Sequence, residues 1–124
     1  MKFYAMTEQT TDQTELVSEY KGAREIGVLR LGENILFFRK MRKVYYIPYH
    51  VITRCFRRVL LVPAKMCCGK GDLPVEYLVV CTEQGELAQI QLPGTRAAKI
   101  MMEDLKIRIP HASFEAIKSS KEEG

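Results

Sequence analysis

The most constraining feature of this sequence is a succession of short apolar runs, each ended by turn residues, followed by one stretch of helical period. Residues 24–31 and 35–40 are the first two runs, and the Gly and Asn of the intervening segment 32–34 tolerate the positive φ of a hairpin loop. Four further runs follow along the chain, at 43–47, 52–62, 75–82 and 87–92. This pattern predicts about six to seven antiparallel strands.

The period changes to a helical one after Pro93 and Gly94. Apolar residues then recur at spacings of three and four, at Ala98, Met101, Met102, Leu105 and Ile109. Thr95 is a suitable N-cap and Pro110 ends the pattern. The sequence therefore predicts a mainly β (α+β) fold, in which a split antiparallel barrel is capped by one C-terminal amphipathic helix.

Length and composition predict a single domain. With 124 residues, 47% of them hydrophobic, the chain can bury an adequate core without a metal or disulfides. Residues 1–20 are rich in Thr, Gln and Glu, which predicts a loosely ordered leader with at most a turn of helix at its end. We expect the domain to span 21–117 and the polar segment 118–124 to be a mobile tail.

The chain carries neither a signal-peptide pattern nor an apolar run near 18 residues, so we expect a cytoplasmic protein without a transmembrane segment. Its four cysteines are then interpreted as reduced thiols. Cys67 and Cys68 are adjacent rather than at the Cys-x-x-Cys spacing of zinc sites, so no metal is expected. No other cofactor is expected either.

Charge is distributed unevenly along the chain. Nine of the 19 Lys and Arg residues lie between positions 34 and 71, where there is no Asp or Glu, although the formal net charge of the whole chain is only +4. Two clusters stand out. Arg39 and Arg42 flank a predicted turn at Met41, and a run of three arginines occupies 54–58.

The alternation of the strand at 52–62 places Arg54, Phe56 and Arg58 on one face, where two guanidinium groups flank an aromatic ring. Arg57 points the other way. Such a face suits phosphate or carboxylate groups, although the alternative that Phe56 belongs to the core and the arginines pair with acidic residues stays open. The predicted binding residues are Arg39, Arg42, Arg54, Phe56, Arg57 and Arg58.

Two segments resemble a known family. Residues 31–38, followed by 44–52 with their Ile47-Pro48 step and strand-opening Ile52, are similar to the pattern of bacterial pleckstrin-homology-like (PH-like) and GRAM-type domains. The resemblance extends over 24–109 by the order of elements. It implies a non-catalytic module that binds phospholipid head groups, peptides or its own copies. The acidic first hairpin loop, with Glu33, lacks the basic pattern of phosphoinositide binders.

We therefore expect a binding module, not an enzyme, that engages an anionic protein segment or makes peripheral contact with an anionic membrane, or else self-associates. One alternative is a nucleic-acid-binding small barrel, in which Phe56 or Tyr45 stacks on bases and binding depends steeply on salt. Another is an enzyme with Cys67 or Cys68 as nucleophile, although no sequence feature pairs either thiol with His50 or His111.

Overall fold

The protein, in a computed structural model that describes residues 2–8, 10–63 and 72–115, is mainly β. The described residues form eight strands in two sheets and two α-helices. The first sheet has the order β1-β5-β4-β3-β2, with β1 at Phe3–Ala5, β2 at Arg24–Ile26, β3 at Leu29–Leu31, β4 at Ile35–Lys40 and β5 at Lys43–Pro48. The second has the order β6-β7-β8, with β6 at Arg54–Pro63, β7 at Asp72–Thr82 and β8 at Gly85–Gln91. The helices are α1 at Gln13–Lys21 and α2 at Thr95–Arg108.

Consecutive strands pair antiparallel within each sheet, and of the described strands only β1 pairs parallel, with β5. No ladder joins the two sheets in the described ranges, so the strands do not close into a barrel. The predicted mainly β fold with a C-terminal helix is confirmed. The predicted single strand at 24–31 is wrong, because Gly27, with a φ of 61°, turns the chain between β2 and β3.

The main core lies between the two sheets and α2. Its fully buried members from the first sheet include Leu29, Leu31, Leu36 and Ile47. Leu78 and Val80 of β7 face them, and α2 contributes Ala98, Met101 and Leu105. The helical spacing predicted for α2 therefore marks the stripe that is buried.

The opposite face of the first sheet is also covered, by α1. Phe37 is completely buried there, and Leu16 of α1 is only 3% exposed against it and its neighbours. Asp12 caps the helix by accepting a hydrogen bond from the Thr14 backbone N–H at 3.0 Å. The prediction of a loosely ordered leader over 1–20 therefore needs correction, since this segment contributes β1 and α1 to the fold.

The ends of α2 differ in one detail from the prediction. Gly94, not Thr95, occupies the N-cap position, and the Thr95 hydroxyl instead donates a hydrogen bond to Glu76 at 3.0 Å. Beyond the helix, Ser113 forms an isolated parallel bridge with Arg54. The predicted tail, 118–124, lies outside the described residues.

Candidate binding surface

Arg54, Phe56 and Arg58 share one face of the second sheet, as the alternation predicts. On this face Phe56 lies opposite Val79 of β7, and Arg58 lies opposite Tyr77. Phe56 is only 4% exposed and forms a small apolar cluster with Val79 and Cys81. The ring is therefore part of the packed interior and does not offer a free stacking surface.

Arg58 lies over this cluster. Its guanidinium lies 5.5 Å from the centroid of the Phe56 ring, donates two hydrogen bonds to the Glu86 carboxylate at 3.1 and 3.2 Å, and donates a third to the Gln89 side-chain oxygen at 2.7 Å. These contacts neutralise its charge and fix its position. An anionic ligand would have to displace Glu86 before it could bind here.

Arg57 points to the opposite face and makes a bidentate ion pair with Glu76. The two nitrogen–oxygen distances are 3.0 and 2.9 Å, and Glu76 is buried. Because this carboxylate also accepts a hydrogen bond from Thr95, the pair joins the second sheet to the start of α2. Arg57 therefore lies on the face opposite to Arg54 and Arg58, as the alternation predicts, and is held in an internal ion pair; its role in binding stays a prediction.

Arg54 contacts the chain that follows α2. It donates hydrogen bonds to the Ser113 hydroxyl at 3.2 Å and to the Glu115 backbone carbonyl at 2.6 Å. The backbones of Cys55 and Thr53 also bond to Ser113, at 2.9 Å each. Arg54 thus holds this segment against the edge of β6. The hydroxyl and carbonyl oxygens of the segment accept hydrogen bonds from the guanidinium, which has only donors.

The β4–β5 hairpin presents a different arrangement. Its two turn residues, Met41 and Arg42, have φ values of 52° and 72°, in the left-handed region that Gly and Asn usually occupy in such turns. Met41 is 85% exposed. Two non-glycine residues at positive φ cost stability, so this turn sequence is not the one that would best stabilise the hairpin.

Cations surround this turn. Lys40 and Lys43 lie directly opposite each other in the ladder, which is unfavourable for like charges. Lys43 lies 5.1 Å from the centroid of the Tyr4 ring, and Arg39, Lys40 and Arg42 are exposed. None of the ion pairs found in the described residues includes Arg39, Lys40 or Arg42. We call the segment 39–43 the basic tip.

A pocket of about 580 Å³ adjoins the basic tip. One wall is formed by the turn residues Gly27 and Val28 with the end of β4, and the other by residues 89–93 at the end of β8. Arg39 and Lys40 belong to both the tip and the pocket. No local sequence signal marks this pocket, because its walls come from segments about fifty residues apart.

The cysteines that the structure describes are not reactive groups. Cys55 is completely buried, and burial raises the pKa of its thiol to about 12, so the thiolate is not available near neutral pH. Burial also raises the pKa of Cys81. Cys67 and Cys68, which the enzyme alternative requires, lie outside the described residues.

Across the described ranges, no group of three or more His, Cys, Asp or Glu residues is placed to hold a metal ion. No helix within them is both long and apolar enough to cross a bilayer. Comparison with models of protein families, with curated proteins and with solved structures gives no match in any of the three.

Proposed function

We propose that the protein is a non-catalytic binding module of the PH-like kind, and that it docks on an anionic phospholipid surface through the basic tip. The PH-like part of the proposal is supported by the order of elements: a four-stranded meander (β2–β5), a three-stranded meander (β6–β8) and a closing helix, α2. The sequence resemblance at 31–38 and 44–52 falls on the first meander and the four residues that follow it.

The observation that carries the proposal is the sequence of the tip itself. The turn places Met41, 85% exposed, at its apex and surrounds it with cations that have no carboxylate partner in the described structure. Both the positive φ values and the facing lysines reduce the stability of the free hairpin. An anionic surface would relieve the repulsion, and its acyl boundary would receive the Met41 side chain.

The magnitudes fit a reversible contact. Each cation near an anionic membrane contributes about 1 kcal/mol, so the four cations of the tip contribute about 4 kcal/mol, which alone corresponds to a dissociation constant on the order of 1 mM. Burial of a Met side chain adds at most about 1.5 to 3 kcal/mol. We therefore propose peripheral docking, with a membrane affinity that salt lowers, rather than stable anchoring.

The basic tip is a better candidate than the arginines of β6. Arg57 and Arg58 are already paired with Glu76 and Glu86, so binding through them must first break an ion pair. The nucleic-acid alternative loses one of its two candidate stacking rings, since Phe56 is buried under Arg58, and the other, Tyr45, is half-buried and packs against the rings of Phe38 and Tyr4. Among the residues predicted from the sequence, Arg39 and Arg42 remain as the proposed contacts.

The test is co-sedimentation with vesicles of phosphatidylserine and phosphatidylcholine, against vesicles of phosphatidylcholine alone. We expect the protein to pellet only with the anionic vesicles at low salt, and the double variant Arg39→Glu with Arg42→Glu to lose at least tenfold in affinity. The matched control is Arg96→Glu with Lys106→Glu on α2, which changes the net charge equally at exposed positions.

The control variant should bind within about twofold of the unmodified protein. Equal losses in both variants would show that only net charge matters and would overturn the proposed tip. Absence of binding to anionic vesicles would overturn membrane docking. If single-stranded RNA, added as a competitor, displaces the protein from the vesicles at a comparable phosphate concentration, the protein has a generic affinity for phosphate. That result would favour the nucleic-acid alternative.

A further inference from the structure

The strand β8 has a free edge. It pairs with β7 on one side, and no strand pairs with its other side in the described parts of the chain. The Leu92 backbone N–H donates to the Glu76 carbonyl at 2.8 Å. Since hydrogen-bonded pairs alternate along an antiparallel ladder, Ile90 bonds to β7 as well, whereas Gln89 and Gln91 direct their backbone N–H and C=O groups away from it.

This free edge borders the pocket of about 580 Å³. The pocket volume is within the range of about 300–1,000 Å³ that is typical of ligand sites. Its walls are mostly apolar, with Val28, Ile90 and Pro93 among the lining residues. The pocket therefore combines unsatisfied strand hydrogen-bonding groups with apolar surface, which is what an added strand needs.

The charge of the pocket indicates which kind of peptide strand would bind at the edge of β8. Arg39 and Lys40 line it, no acidic residue does, and neither cation takes part in an ion pair in the described structure. Both lie across from residues 89–93, the carboxyl end of β8. An antiparallel strand on β8 begins at that end, so acidic residues at its amino-terminal end would meet the two cations.

We infer that β8 accepts an extended peptide segment of a protein partner as an additional antiparallel strand, with acidic residues at the amino-terminal end and apolar residues after them. The backbone of Gln89 and Gln91 supplies the hydrogen bonds, and Arg39 and Lys40 pair with the acidic side chains. This site goes beyond membrane docking, because it uses the edge of the second sheet rather than the apex of the basic tip.

The first test uses a fluorescent probe peptide, Asp-Asp-Val-Thr-Val-Thr-Val with blocked ends, and a counterpart in which Lys replaces both Asp residues. Anisotropy should show at least tenfold tighter binding of the acidic peptide. The variant Gln91→Pro removes one outward N–H that is not bonded to β7, so the fold should survive and the affinity should fall at least tenfold. Gln91→Ala, the matched control, should change the affinity less than twofold.

A second measurement does not depend on a variant. Amide hydrogen exchange should be fast at Gln89 and Gln91 in the free protein and should slow at least tenfold on addition of the acidic peptide, whereas Ile90 should already be protected. Failure of the acidic peptide to bind at 1 mM, or binding without slower exchange at Gln89 and Gln91, overturns the inference.

The two proposals can fail separately. Met41→Asp should weaken binding to phosphatidylserine vesicles and leave the peptide affinity unchanged, because the side chain of Met41 does not line the pocket. Gln91→Pro should have the opposite pattern. Loss of peptide binding in Met41→Asp would place the peptide on the tip and overturn the β8 site.

Discussion

Arg57 and Arg58 are neighbours in the chain, but they lie on opposite faces of β6 and meet different surroundings. Arg57 pairs with a buried carboxylate and contacts the start of α2 through it. Arg58 lies over Phe56 and pairs with the more exposed Glu86. Replacement of the two arginines should therefore lower the free energy of unfolding by different amounts.

We expect Arg57→Ala to lower the free energy of unfolding by about 2 kcal/mol, because it leaves the buried Glu76 without its partner. Arg58→Ala should cost less than about 1 kcal/mol, since Glu86 can be solvated. Urea denaturation of both variants measures the difference. Equal costs would contradict the structural role assigned to Arg57.

The stability should also depend on alkaline pH through Cys55. Burial raises its pKa to about 12 from the ordinary thiol value of about 9, so the unfolded chain releases this proton first as pH rises. Stability is therefore unaffected below about pH 9 and is lost above it, by about 2 kcal/mol between pH 8 and 10.5 for this one group. The variant Cys55→Ala should be less stable overall but should show a correspondingly shallower decline.

Denaturation curves measured at several pH values for both proteins test this. Parallel declines would mean that Cys55 does not contribute.

At the scale of single residues, the sequence predicts which face each residue of β6 occupies, because alternation is a local property. It could not identify Glu76 and Glu86 as partners, since they lie 19 and 28 residues further along the chain.

The turn of the β4–β5 hairpin connects stability with the proposed function at the scale of an element. Replacing Met41 and Arg42 with Asn and Gly should stabilise the protein by about 1 kcal/mol, because Asn-Gly favours two consecutive positive φ values. The same variant should bind anionic vesicles at least tenfold more weakly. Thermal unfolding and co-sedimentation measure the two effects, and a variant that gains stability without losing binding would contradict the role of the turn residues.

The helix α1 should contribute to the cooperative fold. Leu16 is 3% exposed against Phe37 and Val44 of the first sheet, so Leu16→Ala should lower the free energy of unfolding by about 2 to 3 kcal/mol. The exposed Ser18 on the same helix provides the comparison, and Ser18→Ala should change stability by less than about 0.5 kcal/mol. Similar small effects in both variants would show that α1 unfolds separately.

Helices and strands with a strong periodicity of apolar residues could be predicted from the sequence, whereas those with a weak periodicity could not. The spacing of Ala98, Met101 and Leu105 marks α2 because a whole stripe is buried. The strand β1 has three residues, too few to show a period of two, and its pairing with β5 depends on contacts about forty residues away. The division of 24–31 at Gly27 could not be predicted, because that segment also fits one continuous apolar run.

At the scale of the whole molecule, six of the described cations of the basic stretch fall into two groups. In the described part of the basic stretch, Arg54, Arg57 and Arg58 bond to acceptors within the fold, whereas Arg39, Lys40 and Arg42 carry exposed charge around Met41. Net charge and sequence position do not distinguish these groups, because all six residues belong to one stretch without acids. Only the positions of their partners show which cations are available.

The central claim, that the apex of the basic tip enters an anionic lipid surface, is tested most directly by the methyl NMR signal of Met41, assigned with Met41→Leu. Lipid nanodiscs with and without spin-labelled lipid are compared, so that broadening due to particle size cancels. We predict that the spin label selectively broadens Met41 in anionic nanodiscs, but not in neutral ones, and leaves the buried Met101 less affected. Binding to anionic nanodiscs with Met41 and Met101 equally affected would contradict the account.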